Sequence, residues 1–383
     1  MSLKVAVFTF NTNAQIFCCE CYDKKTCGLG RKLLDKVSND CVMTEFAYKF
    51  LDEIKKKNEG NEGSLPDVIV VNLQESSMGN PKKKLRSDQL IQAFKSCIQA
   101  YDRDYVCAKE KLGTVTSDGV RGLRTGLFVN QRTFDTKFKF YFYKSQIENN
   151  IDALQGTSIN RGAILLDLTI TKGSDTYDLQ VINTHLPYIT DDSDIDENEK
   201  SKRDLMLERI QSGFIAKMGG RSDVPRIIAG NLNYRMDFGL ATEKKNTYIT
   251  AIKSGQLDKS QLPQYVPFDQ LQGALSGRLN NYREGLAPEK QEGQGPTFLP
   301  TCILAKRCPI VDGQPRAYQY GKDDAEIVPS WCDRILYTKG IKCIMYDSFD
   351  TDTTCRSDHI PVIGIYEVQP QPQRLSVRQW FWI

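Results

Sequence analysis

The sequence has little of several features that would mark a specialised class of protein. Its 383 residues include only two histidines and three tryptophans. No apolar run approaches the roughly 18 residues that a transmembrane helix needs, so we expect no membrane span. The 51 basic and 48 acidic residues leave a net charge of +3. This near-balance excludes a global positive field, so any polyanion must be bound by a local patch.

Signals for export and for metal-binding cysteine clusters are also missing. The segment from Met1 to Phe10 has one lysine and neither the apolar stretch nor the small-residue cleavage site of a secretory leader. The twelve cysteines are spread along the chain without the paired short spacings of a zinc site. With 40% hydrophobic and 26% charged residues, the composition is typical of a globular protein. The missing leader predicts a cytoplasmic protein, and we also expect a monomer.

Strand and helix patterns alternate along the whole chain. Apolar residues recur at helical spacing around Phe46, Phe94 and Ile210, and Lys137–Tyr143 alternates as a half-exposed strand does. This interleaving favours one large α/β or α+β domain over a string of small ones. Buried strands are predicted at Leu3–Thr9, Val68–Leu73, Gly162–Ile170, Leu179–Asn183, Ile227–Gly230, Ile335–Tyr337 and Pro361–Val368.

Polar side chains follow or precede many of these strands. Ligands of layered α/β folds gather outside the strand ends, so these residues are best considered as one set. Each has an ordinary structural explanation by itself, such as a helix cap or a hydrogen-bonded core histidine, but the set as a whole favours a functional site. Both histidines of the chain belong to it. The set comprises Asn11, Gln74, Glu75, Asn183, His185, Asn231, Asn233, Asp358 and His359.

The donor types in this set favour one metal and one kind of chemistry. Asn11, Glu75 and Asp358 offer hard oxygen ligands, which suit Mg²⁺ better than zinc. Mg²⁺ beside two imidazoles indicates phosphoryl chemistry, in which the metal polarises a phosphate oxygen and protonated donors stabilise the growing negative charge. The residues alone therefore predict a Mg²⁺-dependent phosphoryl-transfer site.

Several short strings make the sequence similar to a known family. The two most diagnostic are Gly230–Arg235 (Gly, Asn, Leu, Asn, Tyr, Arg) and Pro329–Leu336 (Pro, Ser, Trp, Cys, Asp, Arg, Ile, Leu). Shorter matching strings are Thr9–Asn11, Leu73–Glu75, Asn160–Gly162, Asn183–Leu186 and Ser357–Pro361. Together these strings resemble the inositol polyphosphate 5-phosphatases of the endonuclease/exonuclease/phosphatase superfamily.

The resemblance implies a DNase-I-like four-layer sandwich, in which helices flank two packed mixed β-sheets. It implies a catalytic domain over residues 1–368, followed by a tail over 369–383 with a Trp/Phe-rich end. The implied activity is Mg²⁺-dependent hydrolysis of the 5-phosphate of phosphoinositides or soluble inositol polyphosphates by in-line attack of water. We expect transient contact with anionic membrane surfaces and no nucleic-acid partner.

The resemblance also implies roles for individual residues. Glu75 and Asn11 would hold the Mg²⁺, with Asp358 near it. His359, oriented by Asp333, and His185 would bind the scissile phosphate, while Asn233 positions the attacking water. Arginines at strand ends can equally form structural ion pairs. Further substrate contacts are expected from Arg161, Asn183, Tyr234, Arg235, Arg334, Lys306 and Arg307.

One position departs from the family signature at its centre. The family has an aspartate there, usually assigned to activating the water, and this chain has Asn231. An amide cannot accept a proton at neutral pH, so hydrolysis would fall by roughly 10²–10⁴-fold while binding survives. Two explanations are open: a substitution made to trap a complex, which the otherwise intact site favours, or a natural phosphoinositide-binding pseudophosphatase. A nuclease on the same fold is disfavoured by the near-neutral charge.

Two other features concern the substrate. The family's basic contacts to the phosphate beside the scissile one are missing at Pro296–Leu299 and Glu326–Val328. Residues of the intervening insertion would have to replace them, with Lys306, Arg307, Arg316 and Lys322 as candidates. A basic loop at Lys82–Arg86 could dock on anionic lipid, although such a segment is more often a solvated loop.

Overall fold

The fold is taken from a computed structural model, and the structural statements concern the residues that it describes. These are 2–12, 31–58, 64–75, 81–107, 113–115, 122–131, 135–144, 162–187, 197–217, 223–286, 295–304, 317–318, 327–350 and 357–371.

Strands and helices alternate along the described chain. The helices are α1 (Arg31–Lys57), α2 (Pro81–Tyr101), α3 (Glu197–Lys217), α4 (Thr242–Lys253) and α5 (Gln270–Ser276). The strands are β1 (Leu3–Asn11), β2 (Val68–Gln74), β3 (Tyr105–Cys107), β4 (Gly113–Val115), β5 (Leu123–Asn130), β6 (Asp135–Lys144), β7 (Gly162–Lys172), β8 (Asp175–His185), β9 (Arg226–Asn231), β10 (Tyr282–Glu284), β11 (Asp333–Thr338), β12 (Ile341–Ser348) and β13 (Val362–Val368).

The strands form two mixed sheets. In sheet A the order is β12-β13-β1-β2-β5-β3, with β4 also pairing with β5, and β1 and β2 are parallel. In sheet B the order is β10-β11-β9-β8-β7-β6, and β8 and β9 are parallel. Each parallel pair lies near the middle of its sheet, so each sheet has two carboxyl strand ends side by side.

Both faces of each sheet are buried, which gives the molecule four layers. Along β1, Val5 and Val7 belong to the core between the sheets, while Ala6 and Phe8 face the layer that contains α1 and α2. Side chains of α3 and α5 cover the outer face of sheet B. Strands buried on both faces read as continuous apolar runs in sequence, and the predicted strands have this appearance.

The structure confirms the predicted four-layer sandwich and each of the eight predicted strands. The prediction of a loop at Lys82–Arg86 was wrong, because these residues form the first turns of α2. Pro81 begins that helix, a position where its missing N–H costs nothing. Most of the predicted tail lies outside the described residues. No helix in the described ranges is long and apolar enough to cross a membrane.

The glycine of the Gly230–Arg235 string has a packing role between the parallel strands. A Cβ at Gly230 would lie 1.9 Å from the backbone oxygen of Thr184, its partner on β8. We expect Gly230→Ala to reduce the free energy of unfolding by about 1–3 kcal/mol or more, because β8 and β9 must move apart to admit the added methyl group. Urea denaturation measures this. Gly273→Ala in α5, where a Cβ meets nothing within 4 Å, should be neutral or stabilising; an equal loss in both variants would contradict this explanation.

Candidate active site

The strand ends of the two sheets meet at one edge of the sandwich. In sheet A, Asn11 is paired with Gln74, and Glu75 follows directly. In sheet B, His185 is paired with Asn231, which in turn pairs with Asp333 of β11. The sheets approach each other here, with His185 Nε2 lying 3.8 Å from Glu75 Oε1. The register therefore brings together polar residues that are far apart in sequence. We call these residues, with those that adjoin them, the strand-end cluster: Asn11, Glu75, His185, Asn231, Asn233, Asp333, Asp358 and His359.

A buried carboxylate holds the second histidine. His359 Nδ1 lies 2.7 Å from Asp333 Oδ2, and the His359 backbone N–H donates to Ser357 Oγ at 3.1 Å. Burial lowers the pKa of His359, but the charge and hydrogen bond of Asp333, together with the charge of Asp358, raise it to about 9. The imidazole is therefore protonated at neutral pH, which suits the stabilisation of negative charge on a phosphate.

The raised pKa of His359 makes a testable prediction for the metal-free protein. Because the folded-state pKa of about 9 lies above the ordinary value of 6.5, the imidazolium contributes stability that is fully present below pH 6.5. That contribution is lost as the pH rises through about 9. An NMR titration in the presence of a chelator should show the His359 ring protons moving near pH 9. In the Asp333→Asn variant the same protons should titrate at lower pH.

The segment that contains Asn231 and Asn233 is fixed by its own hydrogen bonds. The Asn233 backbone N–H donates to Asn231 Oδ1 at 3.1 Å, and its side-chain Nδ2 donates to the Leu186 carbonyl at 2.8 Å. Asn233 has a φ of 54°, and Glu75 has a φ of 48°. Non-glycine residues in this left-handed region are uncommon and cluster at functional sites. Glu75 directly follows the end of β2, and Asn233 lies two residues after the end of β9.

The oxygen donors expected to hold a metal lie on neighbouring segments. Asn11 is paired with the strand that leads into Glu75, and its carbonyl accepts a hydrogen bond from Ser357 Oγ at 2.6 Å, next to Asp358. Among the described residues, no three His, Cys, Asp or Glu side chains form a metal cluster. One amide and two carboxylates fit Mg²⁺, because this ion keeps several waters and needs only one or two carboxylates.

The predicted contact Arg334 belongs to a structural ion-pair network instead of the strand-end cluster. It is fully buried, and its Nη1 donates to Asp269 Oδ2 at 2.7 Å. Its Nε and Nη2 donate to the two carboxylate oxygens of Glu284. The ion-pair alternative therefore describes Arg334.

Two other expected contacts also have structural partners. Asn183 is completely buried between the sheets, where it accepts from Gln74 Nε2 at 2.8 Å and donates to the Arg124 carbonyl at 2.7 Å. The Tyr234 hydroxyl donates to Asp204. These bonds give both residues structural roles, and their contact with a substrate stays a prediction.

Arg235 lies beside the cluster, where its Nη2 donates to Asn233 Oδ1 at 3.2 Å. The predicted contacts Arg161, Lys306 and Arg307 lie outside the described residues, as do Arg316 and Lys322 of the insertion.

Sequence reasoning missed one segment that contacts the histidine–aspartate pair. Thr301 Oγ1 accepts hydrogen bonds from the backbone N–H groups of Cys332 and Asp333 at 3.2 and 3.1 Å. Cys302 forms isolated bridges with both Ser330 and His359. A signal was present in the sequence, since Pro300 and Thr301 directly follow the apolar pair Phe298 and Leu299.

Comparisons with known proteins agree with this architecture. The sequence matches the model of "Endonuclease/Exonuclease/phosphatase family 2" over residues 39–365, which is more than half of the chain. The fold is similar to that of the inositol polyphosphate 5-phosphatase domain of SpSynaptojanin, solved with inositol (1,4)-bisphosphate and calcium ion. The two are 20% identical with a TM-score of 0.57, and the alignment covers 96% of this chain and 84% of that one. This likeness shows a shared fold.

Two further solved structures are also similar. Cimex nitrophorin in its ferrous NO complex is 17% identical with a TM-score of 0.48, over 96% of this chain and 99% of that one. The catalytic domain of human Nocturnin with bound sulfate is 14% identical with a TM-score of 0.43, over 95% and 94%. No curated protein sequence matches this chain.

Proposed function

Because the chain belongs to the endonuclease/exonuclease/phosphatase family, we propose that its strand-end cluster is a phosphatase site for inositol polyphosphates or phosphoinositides. The observation that carries the proposal is the buried contact between His359 and Asp333, at 2.7 Å. It lies at the same edge as His185, Asn231 and Asn233.

The residues present can perform most steps of a phosphate-monoester hydrolysis. The protonated His359 donates to a non-bridging oxygen of the scissile phosphate, while Asp333 fixes the ring orientation and stabilises the positive charge. His185 lies within 3.8 Å of Glu75 and supplies a second imidazole to the same phosphate. Asn233, fixed by its bond to the Leu186 carbonyl, positions the attacking water.

Mg²⁺ is the proposed cofactor, held by Glu75 and Asn11 with Asp358 near it. When bound, the ion polarises a phosphate oxygen and neutralises part of its charge. Glu75 is mostly buried, and Asp358 retains 19% side-chain exposure. A partly exposed carboxylate among the proposed donors is compatible with the waters that Mg²⁺ retains.

Support for an inositol phosphate substrate comes from the sequence strings and from one relative. Tyr234–Arg235 and Trp331–Arg334 belong to the strings that resemble the 5-phosphatases, and the similar SpSynaptojanin domain was solved with inositol (1,4)-bisphosphate. Tyr234 and Trp331 are buried, with the Trp331 Nε1 donating to the Phe298 carbonyl at 2.7 Å. The buried residues of these strings would therefore contribute to the site by packing beneath its loops.

A second candidate function is phosphoinositide binding without catalysis. It is favoured by Asn231, whose side-chain oxygen already accepts the Asn233 N–H and whose amide cannot take a proton from water. The fold and the remaining site residues would then serve recognition alone.

A substrate panel on the Asn231→Asp variant tests the proposed class of reaction. With Mg²⁺ present, we expect phosphate release from a soluble inositol polyphosphate or from vesicles that contain a phosphorylated phosphatidylinositol. Single-stranded DNA and RNA should remain intact. Cleavage of nucleic acid without phosphate release from inositol phosphates would overturn the proposal in favour of a nuclease.

A further inference from the structure

Thr301 is a buried polar residue that lies beside the histidine–aspartate pair without being part of it. The residue is completely buried, and its Oγ1 accepts the backbone N–H groups of Cys332 and Asp333 at 3.2 and 3.1 Å. Buried N–H groups need such an acceptor, because leaving them unpaired costs free energy. The side chain of Thr301 therefore holds the backbone at the start of β11.

The main chain of Thr301 holds the segment that contains the histidine. Its carbonyl accepts the N–H of Ile360 at 2.9 Å, one residue after His359. The next residue along the chain, Cys302, forms an isolated antiparallel bridge with His359. Thr301 therefore binds the Asp333 segment through its side chain and the His359 segment through its main chain.

The position of Thr301 does not depend on its own hydroxyl group. The backbone N–H groups of Thr301 and Cys302 both donate to the Ser330 carbonyl at 3.1 Å, and the Ser330 N–H donates back to the Cys302 carbonyl. Three residues before Thr301, the Phe298 carbonyl accepts the Trp331 Nε1 at 2.7 Å. The hydroxyl therefore extends from an anchored segment.

The carboxylate of Asp333 has few donors of its own. Oδ2 lies 2.7 Å from His359 Nδ1, whereas Oδ1 accepts no hydrogen bond from the residues that the structure describes. The backbone of Asp333 is paired on one side with Asn231 of β9, and its N–H donates to Thr301 Oγ1. The direction of the carboxylate therefore depends mainly on where these backbone contacts place it.

We infer that Thr301 is a positioning residue, which holds Asp333 and His359 in the contact that presents the imidazole to the scissile phosphate. This role rests on the proposed function for the action of His359. Thr301→Val is nearly isosteric, but it leaves the N–H groups of Cys332 and Asp333 buried without their acceptor. We expect the start of β11 to move in this variant and the contact between the carboxylate and the imidazole to lengthen.

The proton between His359 Nδ1 and Asp333 Oδ2 gives a spectroscopic signature that requires no hydrolysis. A ring N–H that donates to a carboxylate over 2.7 Å forms a strong, charge-assisted hydrogen bond, and its NMR resonance lies far downfield of the backbone amides. The unsubstituted chain should show this resonance at neutral pH. Thr301→Val should shift it upfield or abolish it, and Thr301→Ser, which keeps the acceptor oxygen, should retain it.

Tyr248→Phe is the matched control, because it also removes a buried hydroxyl that contacts the Pro329–Leu336 string. The Tyr248 hydroxyl donates to the Pro329 carbonyl at 2.8 Å, four residues before Asp333. This variant should leave the resonance unchanged even if it lowers stability. An unchanged resonance in Thr301→Val, or the same change in Tyr248→Phe, would overturn the positioning role.

A second variant covers the case in which Thr301→Val does not fold. Thr301→Ala leaves space in which a water molecule can accept the two N–H groups. It should still shift the resonance, because a water holds the segment less firmly than a side chain does. A resonance at its original position in Thr301→Ala would then overturn the positioning role.

Rates of phosphate release separate the positioning role from the hydrolase proposal. In the Asn231→Asp background, Thr301→Val should lower kcat by roughly 10–100-fold, since a misplacement of about 1 Å can cost about 10²-fold. Thr301→Ser should restore most of the rate. A full rate in Thr301→Val would overturn the positioning role. A resonance that depends on Thr301, in a chain whose Asn231→Asp variant releases no phosphate, would support the hold on the pair and reject hydrolysis.

Discussion

Replacing Asn231 with aspartate should raise the rate of phosphate release from a soluble inositol polyphosphate by roughly 10²–10⁴-fold, the usual contribution of a general base. The substitution is nearly isosteric, and one carboxylate oxygen can still accept the Asn233 N–H that Asn231 Oδ1 now accepts at 3.1 Å. The other oxygen becomes a proton acceptor. The protonated His359, held at Asp333 opposite position 231 in the sheet, offsets the added negative charge.

A matched substitution two residues away provides the control. Asn233→Asp adds the same charge, but it removes the Nδ2 donor that holds the Leu186 carbonyl at 2.8 Å. We expect no gain in rate from it. Initial rates at saturating Mg²⁺ compare the three proteins. An Asn231→Asp variant no faster than the unsubstituted chain would show that position 231 is not where the base acts.

Removing Glu284 should destabilise the fold by about 3–5 kcal/mol, because it leaves the buried Arg334 charge half compensated. Glu284 is 4% exposed. Its carboxylate accepts two hydrogen bonds from Arg334 and one from the Tyr346 hydroxyl, the last at 2.7 Å. In Glu284→Ala, the guanidinium keeps only Asp269 as an acidic partner among the described residues. Urea or guanidinium denaturation monitored by tryptophan fluorescence measures the loss.

An exposed ion pair in the same molecule supplies the comparison for Glu284. Lys342 lies 3.6 Å from Glu367, and its side chain is 73% exposed. Lys342→Ala should change the free energy of unfolding by less than about 1 kcal/mol. A Glu284→Ala variant as stable as Lys342→Ala would mean that water reaches Arg334, contrary to its complete burial.

The strand ends of the site could be predicted because the central strands are buried on both faces. Apolar runs such as Val68–Leu73 and Ile227–Gly230 end at polar residues, and the parallel pairing places Glu75 and Asn231 at one edge. Strand β5 was missed because Arg124 and Thr125 interrupt its apolar pattern. Both are buried, and Thr125 donates to Asn72 Oδ1 at 3.0 Å.

The partners of polar residues could not be read from sequence. Asn183 and His185 are two residues apart on one strand, yet Asn183 bonds across to Gln74 while His185 faces Glu75. The sequence also gives no reason to assign different roles to Arg334 and Arg235. The structure does, because it places Asp269 and Glu284 in ion pairs with Arg334.

The central claim, that the two histidines act on one phosphate, is tested most directly by removing them singly and together from the Asn231→Asp variant. Single-turnover release of inorganic phosphate from a soluble inositol polyphosphate should fall steeply for both His185→Ala and His359→Ala. Residues that act as a unit are strongly non-additive, so we predict that the double variant is about as slow as the slower single variant. Either single variant releasing phosphate as fast as its parent would contradict the account.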